Sequence, residues 1–189
     1  TIVPVKTPAH GKPGALGLSV LYYPVVGVGL GVILMTAASA LANIFPATLS
    51  ASLIILLWIV LSGALHLDGL ADCADAWVGG HGSQSRTMDL MKDPTCGPVA
   101  VAIVVMVLLI KVVALSEMVS SNYLFVLMYI TALARYSILM LFVTTPYVRK
   151  GGLGENLHGQ LPRSKVLVVG LLLSILTILY DPFAGSVLI

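Results

Sequence analysis

Charge is what this chain has least of. Only 10% of its 189 residues are Asp, Glu, Lys or Arg, while 58% are hydrophobic and the mean hydropathy is +1.03. Soluble domains carry roughly 25% charged residues. A water-soluble fold of this length cannot cover its surface with so few charges, so the bilayer is the natural solvent. Cysteine is nearly absent. Cys73 and Cys96 form no C-x-x-C pair, and free thiols are expected of both. Internal repeats and low-complexity segments are lacking. The sequence begins at Thr1 without an initiator Met, so a trimmed start is expected. Residues 1–17, with Lys6, Lys12 and several prolines, read as a polar lead-in. They lack the compact apolar region and cleavage site of a signal peptide.

What is present is a series of apolar runs of about 20 residues, the length that crosses a bilayer. Spans are expected over about 18–45, 47–65, 98–119, 123–145 and 166–180. After Asp181-Pro182, Phe183–Ile189 looks like the start of a further span. Gly27, Gly29 and Gly31 in the first run permit close helix contact. With the N-terminus in the cytoplasm, Lys6, Lys12, Arg86, Lys92, Arg149, Lys150, Arg163 and Lys165 all fall on the cytoplasmic side. The opposite turns, near Pro46 and near Ser120–Asn122, hold no Lys or Arg. That is the positive-inside pattern. The expected fold is therefore all-α: one polytopic helical membrane domain over 1–189, lying in the cytoplasmic (inner) membrane. Its cytoplasmic loops are 66–97 and 146–165.

The scarce acids are concentrated. Of eight Asp and Glu, the first loop holds Asp68, Asp72, Asp75, Asp89 and Asp93. If residues 66–75 continue the second span as a helix, Asp72 lies about 40° from Asp68, and Asp75 about 20° to the other side. Three carboxylates then share one stripe and repel one another unless a cation compensates them. Gly79-Gly80-His81-Gly82 lets the chain reverse, and Ser83 or Ser85 can cap a second short helix. Asp89 and Asp93, four apart, are expected to share a face of that helix, which Pro94 ends. The product is a cytoplasmic helical hairpin with two acidic faces.

Hard oxygen ligands suit Mg²⁺, with Mn²⁺ as a substitute. Mg²⁺ keeps several waters and shares its shell with substrate phosphates. Zinc fits less well, because His66 and His81 do not fall in a close His/Cys set. Arg86 and Lys92 can bind phosphate oxygens. His66 points about 160° away from the aspartate stripe, and His81 and His158 lie in glycine-containing loops. All three are expected to be structural or solvated. Two cations, Lys111 and Arg135, sit inside apolar runs, where an unpaired charge is costly. Each is a candidate for holding a phosphate, with snorkelling or pairing to an acid as the structural alternative. In the second loop, Arg149 to Gly154 combines cations with flexible backbone. It can fold over an anionic ligand or anchor at acidic headgroups.

These residues resemble a known family. His66-Leu67-Asp68-Gly69-Leu70-Ala71-Asp72-Cys73-Ala74-Asp75, then Met88 to Asp93 and Gly97, is similar to the adenosylcobinamide-GDP ribazoletransferases, also called cobalamin (5′-phosphate) synthases. The resemblance extends through Pro24–Gly27, Lys111 with Ser116-Glu117, Ala134-Arg135 and Arg149–Gly154. It implies a membrane-bound, Mg²⁺-dependent transferase of cobalamin biosynthesis. Adenosylcobinamide-GDP and α-ribazole, or its 5′-phosphate, would give adenosylcobalamin or its 5′-phosphate, plus GMP. Asp68, Asp72, Asp75 and Asp93 are the metal-site acids it implies, with Asp89 beside them where some relatives carry Glu. Asp93 is the expected proton acceptor, with Lys92 beside it. Arg86, Lys111, Arg135 and Arg149 are the expected substrate contacts. The family's C-terminal Gly-Asp-containing segment has no counterpart before Ile189, so further helices are expected to complete the site. Membrane lipid is an expected partner, nucleic acid is not, and a homo-oligomer is left open.

Two other readings compete. A CDP-alcohol phosphotransferase uses related chemistry, but its D-x-x-D-G-x-x-A-R pattern needs an Arg that is missing after Ala71. A cation transporter needs acids near mid-membrane on broken helices. The five aspartates are expected outside the spans.

Overall fold

The computed structural model describes residues 19–91, 93, 95–148 and 161–180. Among them every regular element is helical. The helices are α1 (Tyr23–Ala42), α2 (Ala47–Ser62), α3 (Leu65–Gly80), α4 (Gln84–Leu90), α5 (Pro98–Ser120), α6 (Val126–Thr144) and α7 (Arg163–Tyr180). Three of them, α1, α5 and α6, are long and apolar enough to cross a membrane. Only 11% of the α5 window and 22% of those in α1 and α6 are buried within the chain. The remainder is apolar and exposed, including Leu109, Ile110 and Val113 on α5. An apolar exterior of that extent needs lipid or further helices around it, not water. The protein is a multi-pass helical membrane protein.

The helix boundaries follow from local chemistry. Pro24 lies in the first turn of α1, and Pro98 opens α5, places where a missing N–H costs nothing. α5 ends at Ser120, and Asn122, two residues on, is left-handed with a φ of 58°. The N–H groups of Asn122 and Tyr123 donate back to the carbonyls of Val119 and Met118.

The described residues divide into two units, one within 36–124, the other taking in 19–35 with 125–148 and 161–180. In the first, α2 packs on α5, and α3 packs on both α4 and α5. The hydroxyls of Thr48 and Ser116 lie 3.4 Å apart. Ser50, Ala51, Ile54, Ile55 and Ser62 form the buried part of α2. In the second unit, α1 meets α6 at Gly27 and Gly31. A Cβ on Gly27 would stand 2.5 Å from the Thr131 carbonyl oxygen and 2.8 Å from the Ala132 Cα. On Gly31 it would run into the Met128 Cα. Only glycine permits backbones this close. Gly29, between them, faces open space. Val20, Leu139, Leu161 and Val166 form a buried cluster in this unit, flanked by Tyr23, Tyr136 and Phe142.

One expectation is corrected here. The aspartate helix does not continue the second span. α2 stops at Ser62, and α3 leaves it at 88°. Gly63 and Ala64 are both left-handed, with φ of 71° and 57°. The Gly63 N–H donates to the Val60 carbonyl and the Ala64 N–H to that of Ile59, which closes α2 with the pairing of a Schellman cap. Two successive left-handed residues turn the chain before the acids begin. As a result α2 and α3 reach membrane-spanning length and hydropathy only as a bent pair.

Candidate active site

Asp68 lies in the first turn of α3, where the partial positive charge of the helix N-terminus favours an acid. It is exposed. Asp72 follows one turn later and Asp75 one turn after that, both half-buried. The 4- and 3-residue spacing does place them along one stripe, because all three belong to the same helix.

Asp75 has a further task. The N-cap residue of α5 is Gly97, which has no side chain to satisfy the first amides of that helix. Asp75 supplies the missing acceptor from 22 residues upstream. The Gly97 N–H donates to Asp75 Oδ2 at 2.6 Å, and the Ala100 N–H donates to Oδ1 at 3.3 Å. The approach is close: a Cβ on Gly97 would stand 2.6 Å from Oδ1 and 3.0 Å from Cγ.

α3 runs through Gly80, and the chain reverses at His81 and Gly82, both left-handed. Ser83 caps α4, its Oγ accepting from the Arg86 N–H at 3.5 Å, so of the two serines expected there Ser83 takes the role. The hairpin closes on glycine. A Cβ on Gly80 would collide with Thr87 Oγ1, and one on Gly79 would lie 2.7 Å from Leu90 Cδ1. Asp89 is exposed on α4.

Asp93 does not share a helical face with Asp89, contrary to the sequence expectation. α4 ends at Leu90. Asp93 Oδ1 instead accepts from the Thr95 N–H at 2.9 Å and the Thr95 hydroxyl at 2.7 Å. Such a local turn competes directly with helix. The two hydrogen bonds, the backbone one foremost, hold the Asp93 carboxyl below its ordinary range.

The cations are distributed over both units. Arg86 is exposed on α4. Lys111 is on α5, with Nζ 5.1 Å from the centre of the Trp58 ring on α2, an aromatic partner for the cation. Arg135 is half-buried on α6, in the other unit. Lys92 and Arg149 lie outside the described residues. Cys73 and Cys96 are free and exposed.

Among the described residues no three His, Cys, Asp or Glu side chains converge closely enough to hold a metal ion by themselves. The donor chemistry nevertheless fits Mg²⁺, which takes one or two carboxylates and completes its shell with water and substrate phosphate. Asp68 and Asp72, one turn apart, provide such a pair. Sequence reasoning missed Thr95, the capping of α5 at Gly97 by Asp75, and Trp58 as partner of Lys111. A legible signal for the second was Gly97-Pro98 immediately before an apolar run, a helix-start signature whose cap residue has no side-chain acceptor.

Apolar helices, together with a short acidic hairpin that opens at an 88° bend, define a helical membrane protein with its acids gathered in one segment. Comparison with known proteins narrows this class. A family model described as Cobalamin-5-phosphate synthase matches residues 1–189. An adenosylcobinamide-GDP ribazoletransferase of Pseudomonas aeruginosa is 50% identical over 171 residues, 90% of this chain and 69% of the relative. One from Stutzerimonas stutzeri is 47% identical over 169 residues, 89% of this chain and 69% of the relative. One from Pseudomonas fluorescens is 45% identical over 185 residues, 98% of this chain and 76% of the relative. No solved structure matches. The chain belongs to the cobalamin-5-phosphate synthase family, a family of transferases in cobalamin biosynthesis.

Proposed function

We propose that the chain joins adenosylcobinamide-GDP to α-ribazole or its 5′-phosphate, releasing GMP, in a Mg²⁺-dependent reaction at the acidic hairpin. The observation that carries this reading is the pair Asp68 and Asp72, one turn apart on α3, in a chain about half identical to transferases that bear this name. A hydroxyl of the ribazole attacks the phosphorus that bears the cobinamide. The new P–O bond forms there, the bond to the bridging oxygen breaks, and GMP leaves with that oxygen. The hydroxyl proton passes to a carboxylate.

Little covalent chemistry is asked of the protein in such a transfer. Its work is positioning and neutralising charge. Bound Mg²⁺ would supply charge neutralisation at the pyrophosphate, held by Asp68 and Asp72. Asp93 is the proton acceptor in this reading. Its hydrogen bonds from Thr95 orient the carboxylate, and Oδ2 is not used by either of them. Lys92 and Arg86 are the nearest cations in sequence for phosphate oxygens, with Lys111, Arg135 and Arg149 as further contacts. The one-sided Lys and Arg distribution supports a cytoplasmic hairpin in the inner membrane. Sealed cells of a variant with Cys73 and Cys96 replaced by Ser should label from outside at Ser121→Cys and not at Ser83→Cys. External labelling at position 83 would reverse the orientation.

The direct test uses the full chain in lipid nanodiscs. GMP should form only when adenosylcobinamide-GDP, α-ribazole and Mg²⁺ are all present, in step with a cobalamin product, and EDTA should stop it. GMP released without α-ribazole would make the protein a pyrophosphate hydrolase and reject the transferase reading.

A further inference from the structure

We infer that Asp75, although it stands on the same stripe as Asp68 and Asp72, is a positioning residue: it caps α5 and thereby holds the segment carrying Asp93 against α3. The geometry separates it from its two neighbours. Both of its oxygens accept backbone N–H groups, from Gly97 at 2.6 Å and Ala100 at 3.3 Å. Those amides are the N-cap, Gly97, which has no side chain, and the third residue of α5, whose first residue is proline. A carboxylate is the strongest acceptor for such a helix end, because it meets both the unsatisfied donors and the positive end of the helix dipole. Gly97 is four residues after Asp93 and two after Thr95, so the same contact fixes where the Asp93–Thr95 turn is tethered.

The aspartate stripe is thus split by function. Asp68 and Asp72 remain for the divalent cation, while the negative charge of Asp75 is already compensated by the helix it caps. This also eases the repulsion along the stripe without a third metal-ligand contact. Gly97 is the required complement, since a Cβ there would enter the Asp75 carboxylate.

The inference rests on the proposed transferase reading only for its activity measurements. The experiment combines Mg²⁺ titration with amide exchange on the full chain in nanodiscs. Asp75→Asn should lower kcat about tenfold while leaving the half-activating Mg²⁺ concentration unchanged. Asp72→Asn should raise that concentration. In Asp75→Asn one of the two accepting oxygens becomes an NH₂ donor facing a backbone N–H, so the amides of a peptide covering 95–101 should exchange several-fold faster than in the parent. Gly97→Ala keeps the carboxylate but displaces it, and should reproduce both effects. It also serves if Asp75→Asn fails to fold. A half-activating Mg²⁺ concentration raised in Asp75→Asn as far as in Asp72→Asn would overturn the inference. So would parental exchange over 95–101 in either variant. If the parent makes no GMP, the transferase reading fails, and the exchange measurement alone decides whether Asp75 caps α5.

Discussion

The α1–α6 pair and the α3–α4 hairpin both depend on glycine, yet they are held by different physics. In the first, Gly27 and Gly31 bring the α1 backbone against Met128, Thr131 and Ala132. Thr131 is the buried polar side chain at this contact, and its hydroxyl donates to the Leu127 carbonyl at 2.7 Å within its own helix. The contact is dispersion between small residues, the means available where lipid removes any hydrophobic drive for helices to associate. In the hairpin, Gly79 and Gly80 make room for Leu90 and Thr87, but the ends are fixed by hydrogen bonds: Ser83 to Arg86, Asp93 to Thr95, and Asp75 to Gly97 and Ala100. A membrane segment gains its place by shape. The acidic segment gains it by saturating donors and acceptors.

The sharpest way to break that comparison is Gly31→Val. The added side chain meets backbone, which cannot move aside, so a loss of about 3 kcal/mol or more is expected. Detergent-extracted protein should show a collapsed thermal midpoint and poor accumulation in the membrane fraction. Gly29→Ala, two residues away in the same helix but facing open space, should behave as the parent. If both variants are equally stable, close packing is not what holds α1 to α6.

A middle-sized effect is expected at the bend. Ala64 pays for a left-handed conformation of roughly 1–2 kcal/mol that glycine would avoid. Ala64→Val should lower the thermal midpoint and reduce activity by mis-aiming α3. Ala64→Gly should keep activity and the 88° turn. A harmless Ala64→Val would show that the bend does not position the acids.

The smallest effect concerns Asp93. Its pKa is lowered in the folded protein, so its contribution is present at neutral pH and above the ordinary carboxylate value. It is lost as pH falls through the folded value, below 3.8. Thr95→Val removes the hydroxyl donor and should move the Asp93 titration, followed by carboxyl NMR, upward toward the ordinary value. The backbone N–H, the larger cause, remains, so the shift should be reduced and not abolished. An unchanged titration would show that the Thr95 hydroxyl has no part in orienting Asp93.

The membrane class was legible from scarce charge and apolar run length alone, and helices α1, α5 and α6 lie where those runs lie. The acidic stripe was equally legible, because helical periodicity relates Asp68, Asp72 and Asp75 without help from any other element. The family followed from their spacing, together with Met88 to Asp93. The bend at Gly63-Ala64 was not legible. A lone glycine in an apolar run is tolerated in a helix, and an alanine announces nothing about a positive φ. The end of α4 was misread for a related reason: Asp89 and Asp93 have helical spacing, but a turn between Asp93 and Thr95 won the local competition.

Residue composition and period therefore determined that this chain lives in a membrane, that it is helical, and that three aspartates lie on one strip of one helix. Which of those aspartates is engaged by protein was decided only when α3 met α5. The reason is physical. Periodicity fixes directions within an element, whereas the amides of Gly97 and Ala100 reach Asp75 from 22 and 25 residues away, and only tertiary packing brings such donors to a carboxylate.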